Sequence, residues 1–123
     1  MVNFATKFVC CVESNANCTS ADLADHIDHI RDVAGIDYIG LGADYDGVTS
    51  LPKDLGDVST YPVLVAELLR RNYSDEDIGK ILGGNVLRAL EGAEDVARQM
   101  QSEGDADNTL QPTIHDCPGA GDH

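Results

Sequence analysis

The sequence contains the stretch YIGLGADYDGV at residues 38–48. Its first half, residues 38–42, is apolar at successive positions, which is typical of a strand buried on both faces of a parallel sheet. Two acids, Asp44 and Asp46, follow directly in a glycine-rich turn. Active sites of parallel α/β folds are built where the strands end. The stretch therefore predicts a buried parallel strand that ends in a candidate active site.

This acidic turn has two simpler interpretations. In an EF-hand calcium loop with Gly47 at the sixth position, the first position would be Gly42 and the twelfth Lys53. Neither can chelate calcium, so this kind of site is excluded. A turn in which aspartate side chains bond nearby amides stays open, and it suits Asp46 better than Asp44. An acid at the position of Asp44 could orient a substrate amine, hold a metal or move a proton.

The pattern on either side of the turn predicts a strand, a helix and a long loop. Residues 2–9 are rich in β-branched and aromatic side chains, which favours a strand. Thr19 and Asp22 have the spacing of a capping box, and the helix that they begin should end at Gly35. Residues 43–60 contain glycine and proline breakers and are predicted to form a loop.

Three helices are predicted after this loop. The first begins at Pro62 and runs to Arg71, and the second is short and opens with a capping pattern at Ser74 and Asp77. The third covers residues 85–101. Its apolar residues are predicted to face inward: Leu87, Leu90, Val96 and Ala97.

The order of these elements points to an incomplete fold. Two parallel strands form almost no sheet, and parallel strands are stable only when their faces and edges are covered. A (β/α)8 barrel has about 250 residues, whereas this chain has 123. The order therefore predicts the C-terminal portion of an α/β, TIM-type barrel. Uncovered strands should make the chain alone poorly soluble.

The charge of the chain excludes two classes of partner. Lys plus Arg number 8 against 22 Asp plus Glu, which gives a formal net charge of -14. Nucleic acid and anionic membrane surfaces need clustered cations instead. Residues 102–123 contain acids, no Lys or Arg, and little to bury, so a folded segment over residues 1–101 and an acidic, disordered tail are predicted. No basic and apolar leader follows Met1, so no signal peptide is expected.

The cysteines and histidines do not predict a metal site. The cysteines, at positions 10, 11, 18 and 117, lack Cys-x-x-Cys spacing. His26 and Asp28 are two residues apart on a predicted helix and cannot share an ion. Asn17 and Asn72 each begin an N-glycosylation acceptor triplet, which favours a secretory compartment. Reduced cytosolic cysteines with accidental triplets stay open as the alternative.

Several blocks of the sequence resemble the membrane (renal) dipeptidase family. The similarity extends from residue 1 to about residue 100, and it covers only what would be the C-terminal third of a family member. The blocks are MVNF (1–4), ADHIDHI (24–30), GLGADYDGV (40–48), DVSTYP (57–62), AELLRRN (66–72) and GNVLR (84–88).

The resemblance implies a metal-dependent amidohydrolase barrel that hydrolyses dipeptides with two bridged zinc ions. Two cations lower the pKa of a bridging water and polarise the scissile carbonyl. The family's zinc ligands lie upstream of the matched segment, so no metal ligand is expected in this chain. Asp44 matches the catalytic aspartate that contacts the substrate amine and the bridging water. Asp46 and Gly47 match the turn that supports this aspartate, and Tyr45 stands where a Phe is usual.

The resemblance also implies a protein outside the cell or on its surface, secreted or held by a GPI lipid anchor. Cys11 resembles a family cysteine whose disulfide partner lies upstream, and Cys117 resembles the cysteine that links two subunits of a homodimer. Asn72 matches a family glycosylation position. Cys10 and Cys18 have no counterpart, and no hydrophobic tail for a lipid anchor is expected within residues 1–123.

Two functions are consistent with these expectations. In the first, the chain is a segment of a zinc-dependent dipeptidase and is inactive by itself, because the residues that hold the metal ions are not in it. In the second, it is a truncated, non-catalytic product that only associates with a full-length dipeptidase subunit.

Overall fold

The computed structural model describes residues 1–11 and 17–104, and this part of the chain is mostly helical. It contains five α-helices: α1 (Thr6–Val9), α2 (Ser20–Ala34), α3 (Tyr61–Arg70), α4 (Asp75–Gly79) and α5 (Asn85–Glu103). Short 3-10 helices occupy Ile36–Tyr38 and Val58–Thr60, and a π-helical turn at Lys80–Gly84 joins α4 to α5. The chain divides into two compact units, Met1–Glu91 and Gly92–His123.

The two predicted strands are reduced to one parallel bridge between Val2 and Leu41. The Val2 N–H donates to the Gly40 carbonyl at 2.7 Å, and the Gly42 N–H donates to the Val2 carbonyl at 2.9 Å. Full strands over residues 2–9 and 38–42 are therefore wrong for the described residues, although the parallel pairing is present. Part of the first segment folds as α1 instead. A parallel pair without further strands beside it has too few ladder bonds to stay extended.

Helix α2 forms where the sequence predicts it, because both of its ends are specified locally. The Asp22 carboxylate accepts hydrogen bonds from the Thr19 N–H at 2.8 Å and from the Thr19 hydroxyl at 2.9 Å. These bonds lower the pKa of Asp22. At the other end, Gly35 has a φ of 98° and follows the last helical residue. The predicted capping box and helix end are confirmed.

Helices α3 and α4 also agree with the sequence. Pro62 lies in the first turn of α3, where a missing N–H costs nothing. In α4 the Ser74 hydroxyl donates to the Asp77 carboxylate at 2.8 Å and accepts from the Asp77 N–H at 3.1 Å. Both predicted helix starts are thereby confirmed to within one residue.

One ionic cluster joins α2 to the end of α3. The Arg71 guanidinium donates to Asp25 and Asp28 on α2, at 2.6 Å each, and to Glu67 on α3 at 2.7 Å. The Tyr73 hydroxyl donates to Asp28 at 2.7 Å. Arg71 thus fixes the two helices against each other while its charge stays balanced by acids.

The core of the first unit lies between these helices and the bridged segments. Its fully buried apolar side chains include Phe4, Cys18, Leu23, Ile27, Ile39, Leu55, Leu64, Leu68 and Ile81. Asn85, at the start of α5, is buried as well, because its side-chain amide donates to the carbonyls of Ile36 and Ile39 at 2.8 Å each. That amide ties the start of α5 to the segment that leads to the acidic turn.

The predicted inward face of α5 is wrong. Leu87, Leu90 and Val96 are each more than half exposed, and Ala97 is exposed too. The helix therefore presents an exposed apolar face in the described part of the chain.

The predicted tail covers residues 102–123. Residues 105–123 lie outside the described part of the chain, so the boundary of the tail stays a prediction.

In the part of the chain that the structure describes, no helix combines the length and the apolar character that crossing a membrane requires.

Candidate functional site

Asp44 lies in the turn that follows the bridged segment of Leu41. The Gly47 N–H donates to the Asp44 carbonyl at 2.9 Å and closes this turn. Asp44 has a φ of 61°, in the left-handed region that non-glycine residues rarely adopt, and its side chain is exposed. Such backbone conformations cluster at functional sites. The structure therefore presents the Asp44 carboxylate to solvent on a constrained turn.

The Asp44 side chain occupies the space that a side chain on residue 47 would enter. A Cβ atom on residue 47 would lie 2.6 Å from Asp44 Oδ1 and 3.1 Å from Asp44 Cγ. These distances are far inside van der Waals contact, so any larger residue would displace the carboxylate. Asp46 is exposed in the same turn. The glycine at this position thus leaves room for the Asp44 carboxylate.

Asn3 is the residue near Asp44 that sequence reasoning missed. Its side-chain Nδ2 lies 3.4 Å from Asp44 Oδ2, and its Oδ1 accepts the Ala5 N–H at 2.7 Å. The Val2–Leu41 bridge aligns the two chain segments so that Asn3 and Asp44 both follow it at the same edge. The pairing of two predicted parallel strands was the signal that could have located Asn3, since residues after paired strands converge.

Tyr45 points the opposite way and anchors the turn to the core. Its ring lies 5.9 Å from the Phe4 ring and 6.1 Å from the Tyr61 ring, edge to face in both cases. Burial raises the pKa of the Tyr45 hydroxyl. Because Tyr45 is held by two aromatic partners, the neighbouring Asp44 is carried on a fixed backbone.

A cavity of about 60 Å³ lies beside the turn, lined by residues 5–7 and 47–50. A cavity of this size has room for a few waters and not for a peptide. Asp44 is not among its lining residues, so this cavity is not the space in front of the Asp44 carboxylate.

The described residues do not form a zinc site. Cys10, Cys18 and Asp22 are the one group of three possible ligands brought close together in this part of the chain. Cys10 and Cys18 are joined in a disulfide, so they are not thiolates, and Asp22 is engaged by Thr19. His26 and Asp28 are also not a pair of ligands. His26 Nε2 lies 2.9 Å from the Val9 carbonyl, whereas Asp28 is bound by Arg71 and Tyr73.

The remaining candidate residues are the cysteines and the two asparagines of the glycosylation triplets. Cys10 and Cys18, for which the sequence offered no assignment, form an intrachain disulfide, and Cys11 is exposed with a free thiol. Cys117 lies outside the described residues. Asn17 and Asn72 are both exposed. The disulfide roles of Cys11 and Cys117 and glycosylation at the two asparagines stay predictions.

Comparisons with known proteins agree on one family. The sequence model of the family described as Membrane dipeptidase (Peptidase family M19) matches residues 1–104. Dipeptidase 3 of Homo sapiens is 42% identical over 92 residues, which is 75% of this chain and 19% of the relative. Dipeptidase ataJ of Aspergillus terreus is 47% identical over 90 residues, which is 73% of this chain and 22% of the relative. The chain thus spans about a fifth of the length of these relatives.

Proposed function

The chain belongs to the membrane dipeptidase family, peptidase family M19, and from this membership we propose that it forms one side of the active site of a zinc-dependent dipeptidase. Its segment would be the C-terminal portion of a (β/α)8 barrel. The parallel Val2–Leu41 bridge supports this architecture, because parallel pairing is the pairing of such a barrel. The apolar faces on α3 and α5 support it too, since barrel helices and strands cover one another.

The observation that carries the proposal is the placement of the Asp44 carboxylate. It is exposed, it follows the parallel bridge at the edge where barrel enzymes build their sites, and it is confined between Asn3 and Gly47. A dipeptide has a free α-ammonium group at one end. An ionised carboxylate binds an ammonium through charge-assisted hydrogen bonds, which would orient the peptide bond for attack.

The zinc ions in this proposal are inferred from the family and not from the described residues. Two bridged zinc ions would supply an activated water and polarise the scissile carbonyl. By the family resemblance, residues upstream of this segment would hold them. The contribution of this chain is to bind and orient the substrate amine at Asp44 and to exchange a proton there.

The covalent and surface features support an extracellular setting. Disulfides persist in oxidising compartments, and the Cys10–Cys18 bond places one in this chain. Asn17 and Asn72 are exposed, as glycosylation requires. We therefore propose a secreted or surface-bound dipeptidase, with Cys11 and Cys117 available for disulfides to an upstream segment and to a second subunit.

The proposal is tested in a dipeptidase of full family length whose C-terminal part is residues 1–123. We expect Asp44→Asn to lower kcat/KM for a free dipeptide by about 100-fold, because the neutral amide loses the ion pair with the substrate ammonium. An N-acetylated dipeptide used as a competitive inhibitor lacks the ammonium, so its inhibition constant should not change. Asp75→Asn, in the first turn of α4, is the matched control for loss of one surface charge.

Two outcomes would contradict the proposal. If Asp44→Asn kept kcat/KM within about twofold of the parent, Asp44 would have no role in substrate binding or catalysis. The 123-residue chain alone, incubated with zinc and a dipeptide, should show no turnover. Turnover would mean that the metal ligands are within this chain. If residues 1–123 are inactive alone and the full-length dipeptidase that contains them is inactive too, the non-catalytic alternative is favoured.

A further inference from the structure

We propose that Asn3 is a positioning residue that sets the orientation of the Asp44 carboxylate toward the substrate ammonium. The inference rests on the proposed function, because it gives Asn3 a purpose only where Asp44 binds substrate. Asn3 and Asp44 are 41 residues apart in the chain and meet only because Val2 pairs with Leu41.

The two ends of the Asn3 side chain have different partners. Oδ1 accepts the Ala5 N–H at 2.7 Å. Because a carbonyl oxygen accepts and an amide nitrogen donates, this bond fixes which way the side chain is turned. Nδ2 is then left facing Asp44 Oδ2 at 3.4 Å, as the donor that a carboxylate needs. In the folded chain the backbone thus presets the donor before any substrate arrives.

Gly47 closes the other side of the same carboxylate. The position that a Cβ on residue 47 would take lies 2.6 Å from Asp44 Oδ1, so this oxygen rests against the bare backbone of Gly47. Oδ2 faces Asn3 at 3.4 Å and also lies 3.3 Å from that Cβ position, so the whole carboxylate lies over Gly47. Gly47 thus leaves room for the carboxylate, and Asn3 supplies the hydrogen bond that favours one orientation of it, which is the preorganisation that an orienting group requires.

The chemistry of an amide suits this task better than that of a cation. A Lys or Arg beside Asp44 would neutralise the carboxylate and compete with the substrate ammonium for it. An amide donates one hydrogen bond and leaves the negative charge in place. The positioning role is thus compatible with binding a cationic group, and the half-buried Asn3 can act without touching the substrate.

Asn3→Asp separates the hydrogen bond that Asn3 donates to Asp44 from the one that it accepts from the Ala5 N–H. The aspartate keeps an oxygen that can accept the Ala5 N–H, but it replaces the donor with a second carboxylate beside Asp44. In the full-length dipeptidase we expect Asn3→Asp to keep its thermal midpoint and to lose kcat/KM by about tenfold or more, mostly through KM. Asn3→Ala removes both contacts and should lose a similar factor. Gln99→Glu, the same amide-to-carboxylate change on α5, is the control and should leave kcat/KM unchanged.

A double-variant cycle with Asp44→Asn identifies the path of the effect. If Asn3 acts through Asp44, Asn3→Ala should cost much less in the Asp44→Asn background than in the parent. An undiminished loss there, or a fully active Asn3→Asp variant, would overturn the positioning role. Failure of the proposed function looks different, because Asp44→Asn would then leave activity unchanged whatever stands at residue 3.

Discussion

Gly47 is the residue on which the space for the Asp44 carboxylate depends most directly. The atom that a new Cβ would meet is the end of a side chain and not backbone, so Gly47→Ala can be accommodated by rotation of Asp44. We expect a loss of less than about 1 kcal/mol in the free energy of unfolding. The displaced carboxylate should lower kcat/KM of the full-length dipeptidase by about tenfold, because misplaced orienting groups cost that order.

Gly56→Ala provides the control for this substitution, since nothing lies within 4 Å of a Cβ built on Gly56. Kinetics and thermal melting of both variants separate activity from folding. An Asp44-dependent activity that survives Gly47→Ala unchanged would show that the carboxylate does not need its present position.

At the scale of single residues, the sequence predicts the functional group but not the residues that hold it in place. Asp44 stands out because acids that follow an apolar run are visible in one short stretch. Asn3 does not, since its contact with Asp44 depends on a pairing across 41 residues and on a side-chain orientation set by Ala5. The Cys10–Cys18 disulfide cannot be predicted for a different reason, because four cysteines allow several connectivities.

At the scale of elements, the contact between α2 and α3 predicts an acid-sensitive stability. Hydrogen bonds from Arg70 and Arg71 lower the pKa of Glu67 from 4.5 to about 2. Since the folded-state pKa lies below the unfolded value, Glu67 contributes stability that is fully present above about pH 4.5 and is lost as the pH falls through about 2. We expect this contribution to be about 1 to 2 kcal/mol once solvent screening is included.

Urea unfolding at a series of pH values checks this expectation. Glu67→Gln removes the titrating group, so its free energy of unfolding should vary less between pH 5 and pH 2 than that of the parent. Glu91→Gln, an exposed acid on α5, should leave the parent's pH dependence intact. Equal slopes for the parent and Glu67→Gln would mean that the arginines do not stabilise the ionised form.

The elements also show which parts of a fold a sequence can predict. The starts of helices α2, α3 and α4 are predicted to within a residue or two, because the caps at Thr19 and Ser74 and the first-turn proline at residue 62 are local signals. The prediction of the two strands is wrong because a parallel strand is stabilised by neighbours far away in sequence. Thr6–Val9, predicted as a strand end, becomes a helical turn where only one bridge is available.

At the scale of the whole molecule, the described chain carries an apolar groove of about 510 Å³ along α3. Its lining residues are Leu41, Tyr61, Pro62, Val65, Ala66, Leu69 and Leu82. Leu69 and Leu82 are each about half exposed. Exposed apolar surface of this kind marks an interaction site or an aggregation site. In the proposed barrel it would be covered by the part of the domain that this chain does not contain.

The net charge of -14 opposes self-association of the isolated chain, but only over short distances. At physiological ionic strength the Debye length is about 8 Å, so repulsion is screened while apolar burial is not. We therefore expect the 123-residue chain to self-associate at micromolar concentration. Sedimentation velocity should show Leu69→Gln/Leu82→Gln shifted toward monomer, whereas Val33→Gln, equally apolar but on α2 outside the groove, should not differ from the parent.

The same double variant should have the opposite effect in a full-length dipeptidase. If the groove is covered there, each glutamine buries a polar group in place of a leucine, at a cost of about 1 to 3 kcal/mol. The thermal midpoint should fall, and Val33→Gln should leave it nearly unchanged. If the double variant makes the isolated chain more monomeric and lowers the thermal midpoint of the full-length protein, then Leu69 and Leu82 are exposed in the first and buried in the second. A double variant neutral in both would show that this face of α3 is an ordinary surface and that the proposed barrel does not cover it.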